Sequence, residues 1–282
     1  MVVDLRDAPP EAQGPYNLCR DGALVACQVF FKALVDSDRF ANAGSFQPLK
    51  VLTKPGTLFH AGPVAAHAYY FETRMKLIDM LWHGLAEAIP NLLPAGHFAT
   101  IFGTVIAGRH ADTGRQYTMV EPQMGGWGAT NERSGQNGMF STSHGDTFNC
   151  PVEIAEARYG FDVLEKSLSF GPKLDGEHSG GAGLCVSYQL RNEATLSVGY
   201  SHARVPAWPL GTASQGGRNS LAVCHSDGTV ETHHFASDVV LKQGDVVEIR
   251  TAFGGAARRA GHIPKDLPVA KQKARPASAK RT

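Results

Sequence analysis

At 282 residues, with 43% hydrophobic and 19% charged residues, the chain has a globular composition and length for one large core or two modest ones. Its net charge of +1 hides an uneven spread: residues 258–282 hold eight Lys/Arg and one acid, leaving 19 basic and 25 acidic residues before them. No run approaches the roughly 18 apolar residues of a membrane span, no basic-then-apolar leader opens the sequence, and five scattered cysteines without CxxC spacing suit reduced thiols, so a cytoplasmic protein without a membrane role is expected.

Pro9, Pro10, Gly14 and Pro15 predict an irregular lead-in. Asp21 then reads as an N-cap, followed by a helix to about Val35 whose apolar face is Leu24, Cys27, Phe31 and Leu34. Residues 42–58 mix Phe46, Leu49, Val51 and Leu58 with Gly44, Pro48, Pro55 and Gly56, which predicts short strands and turns. The strongest helical signal runs from Pro63 to Ile89, where Pro90 and Pro94 forbid continuation. Its seam is Phe71, Met75, Ile78, Trp82, Leu85 and Ile89, and a second line through Tyr70, Leu77 and Leu81 calls for burial on more than one side. His67 and His83 read as surface or cap groups on it. Strands over Ala99–Ile106 and Tyr117–Val120 flank a turn supplied by Asp112, Thr113 and Gly114.

Met124–Glu156 is the densest stretch in chemistry and the poorest in regular pattern. Six glycines sit among Trp127, Asn131, Glu132, Arg133, His144, Asp146, Asn149, Cys150, Glu153 and Glu156. Each Gly inside a helix or strand would cost roughly 0.5–1 kcal/mol against Ala, so this is a loop needing unusual dihedrals or close backbone approach. Trp127, Met139, Phe140 and Phe148 argue that it is packed rather than disordered. Beyond it, Pro151–Ala157 predicts a short helix or turn and Tyr159–Phe170 a half-buried strand. Alternation through Cys185–Tyr200 predicts a hairpin turning at Asn192-Glu193, with Gln189 and Arg191 on an exposed face. Strands at Ser220–His225 and Thr229–Phe235 around Ser226-Asp227-Gly228, and at Val246–Ala252, complete an α+β reading: a helix-containing N-terminal part with a long buried helix, then a largely antiparallel β region. Residues 1–257 form a single domain in this reading, and 258–282 a basic, disordered tail. A tail of this charge without interleaved aromatic residues is a weak nucleic-acid signal, so nucleic-acid binding is not expected.

Several residues invite a chemical reading beside a plainer one. His144 with Asp146 is a base and its orienter, a metal pair, or a turn; two ligands are too few for a specific metal site, so no metal site is assigned. Glu153 and Glu156 share a face if helical and could take a proton or a cation. The candidate catalytic set is therefore His144, Asp146 and Glu153, with Glu156 joining it if one divalent ion is gathered. Cys150 lacks a His at defined spacing and reads as packing more readily than as a nucleophile. Asp175–Gly183 (DGEHSGGAG) could form a phosphate-cradling nest, but no Lys follows it.

Motifs in a fixed order resemble the hydantoinase B/oxoprolinase family. Asn42-Ala43-Gly44-Ser45-Phe46 precedes Lys54-Pro55-Gly56-Thr57-Leu58; then come Gly125-Gly126-Trp127-Gly128-Ala129, Asn149-Cys150-Pro151-Val152-Glu153, Ser179-Gly180-Gly181-Ala182-Gly183, and Pro209-Leu210-Gly211 with Gly216-Gly217. The resemblance implies chains about twice this length, of which this one matches the C-terminal half. The HGD-type and THLxD-type stretches of the other half, which the family uses for a divalent metal, have no counterpart in place; His144-Gly145-Asp146 spells HGD elsewhere. His178 stands where the family has an acid, and Cys185-Val186-Ser187 where it has RGG.

By resemblance, the chain is expected to be a subunit of a multisubunit ATP-dependent carboxylase, of the acetophenone or acetone carboxylase type, or of a hydantoinase-like complex, inactive alone. Its three Gly-rich loops would supply cavity walls and subunit interfaces. Expected partners are a hydantoinase A-like subunit and an N-terminal hydantoinase B-like subunit, with a small-molecule substrate in the complex. No cofactor is expected in this chain; ATP and a divalent metal belong to the partners. The alternatives are a self-sufficient metal-dependent cyclic-amide hydrolase and a β-rich RNA-binding module.

Overall fold

The structure, a computed structural model, describes residues 1–142, 144 and 147–258; the expected tail from residue 259 onward lies outside them. Arg258, the first residue of that expected tail, packs onto the body: its N–H donates to Leu210 O and its guanidinium pairs with Asp175.

An N-terminal helical layer comes first. A short parallel pair, β1 (Val2–Asp4) and β2 (Lys50–Leu52), ties the chain start beside α1 (Arg20–Val35), and α1 packs on α2 (Tyr70–Ala86). The cap of α1 is Cys19, whose Sγ accepts the Gly22 N–H at 3.4 Å, while Asp21 sits inside the first turn. Its buried stripe is Ala23, Ala26, Cys27, Phe30 and Phe31, rotated from the predicted face so that Leu24 and Leu34 are only half-buried. Predicted from Pro63, α2 begins at Tyr70. The intervening residues turn against the lead-in, with Tyr69 N–H donating to Pro15 O and His67 Nδ1 lying 2.9 Å from Asn17 O.

Two antiparallel sheets follow. One has the order β10 (Phe235–Leu241), β7 (Ala194–Gly199), β3 (Gly103–Arg109), β4 (Gln116–Glu121); the other runs β5 (Asp162–Ser169), β6 (Gly183–Gln189), β11 (Val246–Arg250), β8 (Ser220–Cys224), β9 (Val230–His233). Ile106, Met119, Leu196 and Val198 of the first meet Val186, Tyr188, Leu221, Val223, Val247 and Ile249 of the second in one core. The helix α3 (Val152–Tyr159) ends at Gly160 in the left-handed region (φ 67) and adds Ala155 to that core.

The α+β reading holds, with local corrections. Asn192-Glu193 does not close a hairpin: β6 and β7 belong to different sheets. Leu184–Tyr188 is buried throughout, and β5 and β11 occupy both edges of that strand. The predicted strand Thr229–Phe235 is likewise divided at His234 between the two sheets. The Ser226-Asp227-Gly228 hairpin forms between β8 and β9 as predicted. The strand predicted from Ala99 starts only at Gly103, because Ala99 (φ 44) and Phe102 (φ 51) leave extended geometry.

Between helices and sheets the glycine-rich segments pair with one another by main chain. Phe98 N–H donates to Gly126 O, Gly126 N–H to Ala252 O, Gly181 N–H to Trp127 O, Gly254 N–H to Gly181 O and Ala129 N–H to Gly255 O. A Cβ on Gly126 would stand 2.0 Å from Gly181 O, and one on Gly181 1.9 Å from Gln136 O. These glycines permit backbone to lie on backbone. The nest predicted in Asp175–Gly183 is not open: Glu177, His178 and Gly181 donate to protein carbonyls and Ala182 to Asn137 Oδ1.

Gly126→Ala is expected to lose about 3 kcal/mol or more, or fail to fold, because the contacting atoms are backbone. Gly84→Ala, on the exposed side of α2 with nothing within 4 Å, is expected to gain up to about 1 kcal/mol. Urea unfolding followed by circular dichroism compares the two.

Candidate functional site

The helix α2 brings Glu72, Lys76 and Asp79 to one side at spacings of four and three, the helical repeat. Glu72 and Asp79 are each only 1% exposed, which for carboxylates requires dense compensation. The glycine-mediated packing supplies it. Ala95, Gly96 and Phe98 pair by main chain with Ala129, Trp208 and Gly126, holding His97, Trp127 and Trp208 over α2. Asn219 clamps the same layer, its amide donating to Phe98 O and Ser201 O and its Oδ1 accepting Ala252 N–H.

Asp79 sits at the centre. Its Oδ1 accepts Trp208 Nε1–H at 2.8 Å, and its Oδ2 lies 2.8 Å from Lys76 Nζ and 3.2 Å from His202 Nε2. Burial would raise this carboxyl, but the adjoining His202 ring and the Lys76 charge outweigh it and hold the group below the usual carboxylate range. Lys76 Nζ also lies 2.9 Å from His202 Nε2. That nitrogen cannot both donate to Asp79 and accept from Lys76. With Lys76 as ammonium donating to both, the His202 proton sits on Nδ1, which is buried without a partner. Lys76, His202 and Asp79 thus form a triangle of polar contacts. His202 is held there with φ 60, a left-handed conformation costly for a non-glycine residue.

His97 completes the network from the far side. Its Nδ1 lies 4.0 Å from Asp79 Oδ1 with no hydrogen-bond partner, and its Nε2 lies 3.3 Å from Thr142 Oγ1. Burial pushes it down to about 4, partly offset by Asp79, so it is neutral at pH 7. Trp82 and Trp127 pack on its ring at centroid distances of 6.1 and 5.0 Å.

Two turns before Asp79, Glu72 accepts the Thr100 hydroxyl at 2.8–2.9 Å and Ile101 N–H at 2.9 Å. Burial raises its carboxyl to about 7, against those hydrogen bonds. A group with this value can give or take a proton near neutrality.

The residues singled out in the sequence lie elsewhere. His144 stacks on Phe140 at 5.0 Å, and burial together with the Arg74 charge lowers its value. Asp146 lies outside the described residues. Glu153 is exposed on α3, and Glu156, half-buried on the same helix, accepts Val163 N–H at 2.9 Å. Cys150 is held by its backbone, its N–H donating to Glu121 Oε1 and its carbonyl accepting from Lys166, with its side chain against the core. Arg191 forms a two-pronged pair with Asp112. His83 stacks on Trp208 at 4.7 Å. Among the described residues no three His, Cys, Asp or Glu side chains gather as a metal site, and no helix is long and apolar enough to cross a membrane. The signal that could have found the buried site is the interruption of α2's apolar seam by Glu72 and Asp79, three and four residues from Met75.

The fold and site define a class: a two-sheet antiparallel sandwich with a helical layer, joined by glycine-rich main-chain pairing around a buried ionic network. The sequence matches the hydantoinase B/oxoprolinase family over residues 1–257, and the chain belongs to that family. It is similar to an uncharacterized protein of Methanocaldococcus jannaschii, 24% identical over 254 residues, covering 90% of this chain and 44% of that protein. It is also similar to a Pseudomonas sp. (strain NS671) protein provisionally named as the B-type subunit of a D-/L-hydantoinase, 24% identical, covering 79% of this chain and 38% of the relative. Among solved structures, the ATP-dependent caprolactamase from Pseudomonas jessenii superposes with TM-score 0.73 at 18% identity over 89% of this chain and 45% of that one. Nucleotide-free acetone carboxylase does so with TM-score 0.73 at 12% identity, over 91% and 39%. The chain spans less than half the length of these relatives.

The raised Glu72 value has a definite pH consequence. Its folded value, about 7, lies above the ordinary 4.5, so the stability it permits is fully present below about 4.5 and is lost as pH rises through about 7. That gap corresponds to a loss of up to about 3 kcal/mol. Glu72→Gln, which still accepts Ile101 N–H, is expected to flatten the fall between pH 5 and pH 8 in urea-unfolding series, whereas parallel pH dependence in both proteins would refute the assignment.

Proposed function

We propose that the chain works as a subunit of a multisubunit ATP-dependent complex of the hydantoinase or acetone/acetophenone carboxylase type. The observation that carries this reading is the family match over residues 1–257 by a chain that corresponds to less than half of each relative. The naming of one relative as a hydantoinase subunit and the ATP dependence named for both structural neighbours support the same class. In this reading the rest of a hydantoinase B-like chain comes from a second polypeptide corresponding to the N-terminal half. That polypeptide holds the divalent metal, and a hydantoinase A-like subunit handles ATP.

The surface supports a partner as well. Phe148 is 90% exposed and Phe170 71%, and Leu164 and Leu168 are exposed on β5, an edge strand of its sheet. The first Gly-rich loop lines a groove of about 420 Å³ with Trp127, Thr130, Glu132, Arg133 and Gln136. These features suit a chain that contributes walls and interfaces, with its glycines given over to internal packing behind them.

Purified alone, the chain is expected to show no ATP hydrolysis, no carboxylation of acetone or acetophenone and no opening of hydantoin or caprolactam. Co-expressed with hydantoinase A-like and N-terminal hydantoinase B-like proteins of the same source, it is expected to co-purify with them. A Phe148→Ser/Phe170→Ser variant would weaken that capture about tenfold or more. Turnover by the isolated chain, or failure to co-purify, would overturn the reading.

A further inference from the structure

A cavity of about 250 Å³ lies between α2 and the N-terminal segment. Its walls are Pro9, Leu58, Phe59 and the exposed side chain of Met80. Four polar residues also line it: Glu72, Thr73, Lys76 and Ser201, of which Thr73 already donates its hydroxyl to Tyr16 O. A volume of this size holds a molecule of about eight non-hydrogen atoms, judged against about 30 Å³ for one water. Apolar walls with a few converging polar groups are the usual make-up of a small-molecule site.

The polar groups restrict what can enter. Lys76 is 35% exposed, and Asp79 Oδ2 and His202 Nε2 engage two of its three ammonium protons. The third is free for an acceptor. Asp79, buried beneath, already balances the Lys76 charge. An entering carboxylate would therefore add an uncompensated negative charge one helical turn from the Glu72 carboxyl, in a setting that screens poorly. A neutral carbonyl brings the acceptor without the charge. An alcohol or hydrocarbon of the same size would leave the Lys76 donor less well matched.

We propose that this cavity binds a small, uncharged, largely apolar molecule through one carbonyl oxygen, which accepts from Lys76 Nζ, with Glu72 placed to exchange a hydrogen bond with an N–H or O–H beside that carbonyl. The site is built wholly from this chain. Its occupancy does not depend on the subunit reading, and either can fail without the other.

The test uses the full 282-residue chain and ligand-observed saturation-transfer NMR with three probes sharing one apolar end: isobutyramide, isobutyrate and isobutanol. Isobutyramide is expected to bind saturably in the millimolar range, at least about fivefold more tightly than either of the others. Met80→Trp, at an exposed wall position outside the ionic network, should fill the cavity and weaken amide binding at least about tenfold while leaving thermal unfolding unchanged. Lys76→Met should also abolish the preference for the amide over the alcohol; if that variant unfolds, Met80→Trp still decides the matter. No saturable amide binding, equal or tighter binding of isobutyrate, or full amide affinity in Met80→Trp would overturn the proposal.

Discussion

The interior of this protein depends on main chain lying directly on main chain. At Gly126, Gly181 and Gly254 the facing atoms are backbone carbonyls or amides that leave no space for a Cβ. Segments brought so close satisfy one another's N–H and C=O groups without belonging to either sheet, as buried backbone must. That packing carries His97, Trp127 and Trp208 to the same side of α2, and Asn219 ties the Phe98, Ser201 and Ala252 segments together. The ionic network is therefore a product of glycine placement as much as of the charged residues themselves.

Within that frame the two buried carboxylates of α2 behave in opposite ways. Asp79 has an indole N–H, an ammonium and an imidazole about it and stays ionised despite burial. Glu72 has neutral hydroxyl and backbone N–H donors and no cation in contact, and burial wins. Pairs of acids pushed apart by their surroundings often mark sites where protons are handled. Here Lys76 stands between them, touching Asp79 and lining the cavity that Glu72 also lines.

Membership of the hydantoinase B/oxoprolinase family and the likeness to caprolactamase and acetone carboxylase place this fold within larger proteins. At 18% and 12% identity the backbone path is retained while most side chains differ. A fold that depends on backbone contact asks for glycine at a few positions and tolerates change elsewhere, which agrees with a resemblance legible chiefly in short Gly-containing motifs.

Much of this was available from the sequence. The apolar repeats of α1 and α2, the Ser226-Asp227-Gly228 hairpin and the glycine density of residues 124–138 follow from periodicity and local backbone chemistry, and the order of the motifs identified the family. Tertiary structure decided the rest. The sheet to which β6 and β7 each belong, the left-handed residues that delay β3, and the meeting of Glu72, Lys76 and Asp79 with His97 and His202 all rest on contacts between distant segments. The chemically dense loop drew attention to His144 and Glu153 and not to the acids of α2, because local composition shows which groups are present but not which will be buried together. The acids of α2 sit in an apolar seam where only the packed neighbours determine whether a charge is kept or lost.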